Sequence, residues 1–298
     1  MTTTSTLSGR EAATPRAVAT DGAKPHAADL FLGDPFRYDA PLDDAPFVYT
    51  ERVALSDDSK TTVHVLRQEL RNTVVKVANL GSARRVTDVC DELGGSVVAA
   101  MSGGFFAREA GRPLGELWIA GERQPHVPFP APWHEVRGAL HVDADGITID
   151  SREMLPARPD GDLLQAGPVL ATDGRPVLDL AADREGFRAG SGQFDSDITD
   201  GRYPRAAIGY DDTYVYAVVV DGRSDGDVGM SLTELAEFMT ERLGVVAALN
   251  LDGGGSATLA ARDPEGAFHV INNPMDGYMQ PTPGGSRQLY SAIVFAQV

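Results

Sequence analysis

The stretch Leu243-Gly-Val-Val-Ala-Ala-Leu-Asn-Leu-Asp-Gly-Gly-Gly-Ser256 carries the reading of the fold. Gly244 closes a helical pattern, as glycine commonly does just past a helix C-terminus. Val245 to Leu251 is then a short, nearly unbroken apolar run, the pattern of a strand buried on both faces. Asp252 and three glycines end it. Upstream, Tyr214 to Val220 is a second such run, and a helix begins between the two at Ser231. Glu234 stands three residues after Ser231, completing a capping box. Leu232, Leu235, Phe238, Met239 and Leu243 share one face at helical spacing. Strand, helix, strand in this order predicts two parallel strands joined by a right-handed crossover. Their C-terminal ends then share one edge, where α/β sheets bind ligands. Asp221-Gly-Arg223 ends the first strand and Asp252 to Ser256 ends the second, so two carboxylates, an arginine and a glycine nest are expected to converge there.

The glycines have a chemical reading. Gly253, Gly254 and Gly255 let the backbone approach a ligand closely and aim N–H groups at an anion. Ser256 and Thr258 add hydroxyl donors. No Gly-x-x-x-x-Gly-Lys pattern is present, so the run is not a nucleotide P-loop. Asp252 is the preferred acid/base or orienting group, because a carboxylate at the end of a buried strand is partly desolvated and its pKa rises toward a useful range. Asp221 is the second candidate. A bracing role in the turn is the competing reading for both. Guanidinium forks suit phosphate oxygens; Arg205 and Arg223 are the preferred pair, with Arg202 and Arg287 behind them.

Working outward, residues 1–28 are rich in Thr, Ala, Ser, Gly and Pro without periodic apolar positions and are expected to be disordered. No linker interrupts residues 29–298, which are expected to form one domain of α+β class, a mixed, twisted β-sheet with helices packed on it. Further strands are expected at Val63 to Leu66, Thr73 to Leu80, Leu140 to Ile149 and Ser291 to Val298. A weaker helix is expected over 82–93. The segment Leu93-Gly-Gly-Ser-Val-Val-Ala-Ala-Met-Ser-Gly-Gly104 echoes the 243–254 stretch: helix end, buried strand, Gly-rich turn.

Composition narrows the function. The chain has 298 residues and a net charge of −17, which excludes non-specific nucleic-acid binding and docking on anionic membranes. An anionic small molecule then needs a local group of arginines. Cys90 is the one cysteine, so no intramolecular disulfide forms. No apolar run approaches the ~20 residues of a membrane helix. The N-terminus lacks a basic stretch followed by an apolar core, so the expected location is the cytoplasm. The histidines show no metal-ligand spacing. Asp195 and Asp197 match the start of a calcium loop, but Asp200 stands where its glycine belongs and Ala206 where its closing glutamate belongs, so the three are read as a solvated loop. No cofactor is expected, with a divalent metal such as calcium left open. No Gly-x-Ser-x-Gly elbow is present.

Together these segments resemble the phosphodiester glycosidase family. The most specific match is Asn250-Leu-Asp-Gly-Gly-Gly-Ser-Ala-Thr258. Met101-Ser-Gly-Gly-Phe-Phe106, Gln165-Ala-Gly-Pro168, Arg202-Tyr-Pro-Arg-Ala-Ala-Ile-Gly209, Val219-Val-Asp-Gly-Arg223, Gly229-Met-Ser-Leu232 and Asn272-Asn-Pro274 follow in the family's order. The resemblance implies hydrolysis between a sugar's anomeric carbon and a phosphate-linked group. It further implies that Asp252, the glycine loop, Arg205, Arg223 and the Ser102-Gly103-Gly104 turn hold a small sugar-phosphate substrate, while Asp252 or Asp221 handles protons. Three positions depart from the family pattern: Ser102 and Ser291 replace asparagines, and Ala206 replaces a threonine. They point either to a different, biosynthetic substrate or to weak activity. The alternatives are an enzyme of specialised metabolism acting on another glycosyl or phosphoryl linkage, and a non-catalytic sugar-phosphate-binding module.

Overall fold

The structure is a computed structural model that describes residues 47–93, 96–188 and 198–298. The segment expected to be disordered, the Gly94-Gly95 helix end, and Asp195 and Asp197 lie outside these residues.

Tyr214–Val220 forms a strand with the expected bounds. Its period-two alternation explains the unbroken apolar run. Val215, Ala217 and Val219 face the central core, while Tyr216, Val218 and Val220 face a second cluster on the outer side. Ala247–Asn250 repeats the pattern, with Ala247 and Leu249 inward and Ala248 outward. What covers the outer side is the helix Leu232–Glu237 and the π turn Phe238–Arg242 that continues it. Ser231 caps that helix, with both halves of its capping box formed. Burial on both faces therefore comes from a core on one side and a helix on the other. Each fully buried Val or Leu on such a strand is worth roughly 1.5–3 kcal/mol.

The strand order corrects the crossover reading. Tyr214–Val220 and Ala247–Asn250 do run in the same direction, but Arg205–Tyr210 lies between them and is antiparallel to both. Two-sided burial does not require parallel neighbours, so the apolar runs could not distinguish the two ladders. The expected single mixed sheet is also corrected. These strands belong to a seven-stranded sheet that begins Phe47–Ala54, Lys60–Glu69, Tyr214–Val220 and continues through Val169–Thr172 to the Arg175–Pro176 edge. A five-stranded sheet runs Phe268–Val270, Leu259–Arg262, Val97–Ser102, Leu289–Gln297, Thr73–Arg84. Another five-stranded sheet includes Gly138–Asp143 and Gly146–Ser151. Those last two form a hairpin where one alternating strand was expected, because a tight turn at Asp143 to Gly146 preserves the alternation across it. Every ladder between these strands is antiparallel.

The sheets pack on one central core to which each contributes, for example Leu249, Met101 and Leu140. The helix Val86–Leu93 covers the outer face of the sheet that holds Val97–Ser102, packing Val86, Val89 and Cys90 there. Sheet dominates, and helices are few. The consequence for the site is geometric. Ala247–Asn250 and Val97–Ser102, the two echoing strands, lie in different sheets and end against each other: Asp252 N donates to Gly103 O at 3.1 Å, and Ser102 N to Thr258 O at 2.9 Å.

Candidate active site

Asp252 stands at this junction. Leu251 N donates to Ala206 O at 2.8 Å, the last ladder bond before the chain leaves its sheet for Gly103. Asp252 keeps some accessible surface, yet its carboxyl is crowded by protein. This desolvation pushes its pKa up to about 6, against the opposing pull of a Ser256 hydrogen bond, the Arg287 and Arg108 charges and the Gly253 amide. Burial wins because removing a carboxylate from water costs more than these partners return.

The glycine run is shaped by what it must avoid. Gly254 has φ +58°, a left-handed conformation, and donates its N–H to Pro204 O at 2.8 Å. A Cβ at Gly253 would sit 2.8 Å from Pro204 O, and one at Gly255 would fall onto Asp276 and Arg287. The turn thus tucks between the Arg205–Tyr210 strand end and the 275–287 segment. Ser256, fully buried, accepts from Arg287 Nη1 at 3.2 Å and hydrogen-bonds the Asp252 carboxylate. Arg287 Nη2 also pairs with Asp276. A continuous chain therefore runs Asp276, Arg287, Ser256, Asp252.

Arg223 joins from the far side. Its φ of +62° is unusual for a residue with a Cβ, a local strain that tends to occur at functional positions. Its Nη1 donates to Met275 O at 3.0 Å and Asp276 O at 2.6 Å, and its Nη2 lies 3.1 Å from where a Gly254 Cβ would be. Burial, and then the Arg287 charge, lower its pKa. Two guanidiniums held near each other without a carboxylate for each make a place for an anion.

The other expected site residues occupy different positions. Asp221 is on the same sheet edge, but its Oδ2 meets His64 Nε2 at 2.9 Å and its Oδ1 accepts from Asn273 N at 2.8 Å. His64 in turn contacts Thr50 Oγ1 at 3.1 Å through Nδ1. Both oxygens of Asp221 are thus committed, one to the His64 ring on the Lys60–Glu69 strand and one to the Asn273 amide of the 272–276 segment. Arg205, 3% exposed, spends Nε, Nη1 and Nη2 on the carbonyls of Met230, Ile198 and Gly201. It stacks with Tyr203 at 5.3 Å, and burial lowers its pKa to about 10. Its guanidinium clasps its own loop. Arg202 is engaged by Asp57 and Glu234. The Gly103-Gly104 amides are closed as well, donating to Ser291 O at 3.2 Å and Ser291 Oγ at 3.1 Å. Ser102 Oγ reaches Asp252 O at 3.4 Å. Thr258 Oγ1 is buried without a partner. The two serines that depart from the family pattern are thus parts of one junction that fixes Asp252.

Nothing in the sequence singles out Asp276, and Arg287 ranks there behind Arg205 and Arg223. Asp276 lies in a short hairpin, Met275–Gly277 with Gln280–Pro281, that has no motif. Arg287 sits close before a strand, a local signal too common to select it. Beside them opens a cavity of about 510 Å3, lined in part by Asp276, Arg287 and Arg108. Among the described residues no three His, Cys, Asp or Glu side chains gather as metal ligands, and no helix is long and apolar enough to cross a membrane.

The family model for phosphodiester glycosidases matches residues 95–296. Among solved structures, the catalytic domain of zebrafish N-acetylglucosamine-1-phosphodiester alpha-N-acetylglucosaminidase, auto-inhibited by its pro-peptide, superposes with a TM-score of 0.59 at 20% identity, covering 85% of this chain and 83% of that one. A hypothetical protein from Synechocystis gives 0.54 at 20% identity, over 86% of this chain and 64% of its own. A Burkholderia pseudomallei protein described as exported gives 0.56 at 17% identity, over 80% and 74%. Comparison with curated protein sequences finds no match.

Proposed function

Given that this chain belongs to the phosphodiester glycosidase family and is a hydrolase, we propose that it cleaves the bond between the anomeric carbon of a sugar and the phosphodiester of a small biosynthetic substrate, with Asp252 as general base. The observation that carries this reading is the Asp276, Arg287, Ser256, Asp252 chain with Arg223 opposite. The diester's oxygens rest against Arg223 and Arg287, whose charge offsets the negative charge that grows on the departing phosphate. Ionised Asp252 takes a proton from the attacking water, and Ser256 and Arg287 hold the carboxylate in place. The water oxygen bonds to the anomeric carbon as the carbon–oxygen bond to phosphate breaks. Free sugar and a phosphomonoester leave. A base with a pKa near the working pH couples adequate ionisation to proton affinity, and such a group contributes roughly 10²–10⁴-fold in rate.

The test is release of free sugar from a panel of sugar-1-phosphodiesters and nucleotide sugars by the wild type and Asp252→Ala. Turnover that vanishes in the variant supports the assignment. Because the base must be ionised, kcat/KM should rise as pH passes through about 6. A wild type that turns over no member of the panel, or a variant that retains full activity, refutes the reading.

A further inference from the structure

The cavity beside Arg287 is lined by three arginines, Arg85, Arg108 and Arg287, in a chain whose net charge is −17. Arg287 is engaged with Asp276 and Ser256. Arg85 Nε is buried with no hydrogen-bond partner. Two further lining groups share that condition: the Ser286 and Thr282 hydroxyls, on residues 2% and 5% exposed, are buried and unpartnered. Buried polar atoms left unpaired are costly, and native proteins keep few of them. Three such groups, all able to donate, sit on residues that line one cavity, where an acceptor would satisfy them.

The chain is also shaped to admit the Arg85 guanidinium. Gly284 has φ +73°, and a Cβ there would collide with Arg85 Nη2 and lie 2.9 Å from its Cζ. The left-handed backbone and the close approach of the guanidinium both favour glycine at this turn. The donor set then limits the acceptor. A carboxylate offers two oxygens and one charge, whereas a phosphomonoester offers three oxygens and close to two charges. Three guanidiniums and two hydroxyls, against the single Asp276 carboxylate, match the latter.

Resting on the proposed glycosidase reading, we infer that this cavity is a subsite for a second phosphate, a phosphomonoester carried by the leaving group of the substrate. Arg287 forms the wall shared with the scissile diester, and Arg85, Ser286 and Thr282 hold the terminal phosphate. The substrate is then a sugar linked through a phosphodiester to an alcohol that is itself phosphorylated. The subsite takes no part in bond cleavage and acts through affinity.

The experiment compares two phosphodiesters of the same sugar, one with a plain alcohol as leaving group and one with that alcohol terminally phosphorylated, on the wild type and Arg85→Gln. The phosphorylated substrate should be preferred at least 100-fold in kcat/KM by the wild type. Arg85→Gln should reduce that preference below 5-fold and leave the plain substrate within 3-fold. No preference in the wild type, or equal slowing of both substrates by the variant, overturns the subsite. Inorganic pyrophosphate binding, followed by calorimetry on the same two proteins, separates this from failure of the glycosidase reading. If neither diester is cleaved yet pyrophosphate binds and Arg85→Gln weakens it at least 10-fold, the glycosidase reading falls and the anion site stands; absence of binding sinks the site. Ser286→Ala guards against misfolding of the arginine variant: it should keep or raise the Tm of the free protein and diminish the Tm rise given by pyrophosphate, and an undiminished rise counts against the site.

Discussion

Replacing Asp252 by asparagine should make this protein more stable at neutral pH while removing its activity. A raised carboxyl pKa means that the folded state binds the proton more tightly than the unfolded chain. Stability is then greatest below the ordinary value of 3.8 and is lost as pH rises through about 6. Above that window the folded protein carries an ionised Asp252 at a cost of about 3 kcal/mol, from 1.36 kcal/mol per pH unit of difference. Asparagine has nearly the same shape and never ionises, so the variant escapes this cost. About half of the gain should persist at pH 5, where the wild-type carboxylate is largely protonated in the folded state. For a domain of this size, ~3 kcal/mol corresponds to about 6 to 12 °C in Tm. Urea or thermal denaturation of both proteins at several values between pH 5 and 8 measures it. A variant no more stable than wild type at pH 7.5, or a gain that does not shrink toward pH 5, would refute the claim that desolvation dominates at Asp252.

Two further perturbations address the support of the site. In Gly255→Ala the new methyl group falls on the Asp276–Arg287 pair, while the backbone there needs no left-handed conformation. We expect kcat/KM to drop about 100-fold with Tm within a few degrees of wild type, and activity within 3-fold of wild type would show that the pair is not needed. Asp221→Ala leaves His64 and the Asn273 amide without their acceptor. Orphaning buried partners of a carboxylate costs about 3 kcal/mol, readable as a lowered urea midpoint; a loss under 1 kcal/mol would mean that the segment is held by other contacts.

How much was legible in the sequence follows the range of the interactions involved. The capping box at Ser231 and the strand Tyr214–Val220 are set by neighbours within a few residues and were readable with their bounds. Strand order was not, because Val218 or Leu249 looks the same whether its neighbours run parallel or antiparallel. In the site, the position of Asp252 followed from the strand that delivers it. The direction of Arg205 did not, since it depends on carbonyls at Ile198, Gly201 and Met230 brought together only by folding. Ser291 illustrates the same gap. Read as the loss of an asparagine, it is in the structure the acceptor for Gly104 N–H, a role invisible without the strand that carries it.

That strand, Leu289–Gln297, lies in the interior of its sheet, between Val97–Ser102 and Thr73–Arg84. Its partners are made about two hundred residues earlier on the ribosome. Pairings of such sequence separation form slowly, and until Ser291 has been synthesised the Gly103 and Gly104 amides lack the acceptors that close their turn. The growing chain therefore carries Asp252 well before it has the whole junction that fixes it. A protease that clipped only this strand would take those acceptors from the turn without touching Asp252, Arg223, Ser256 or Arg287.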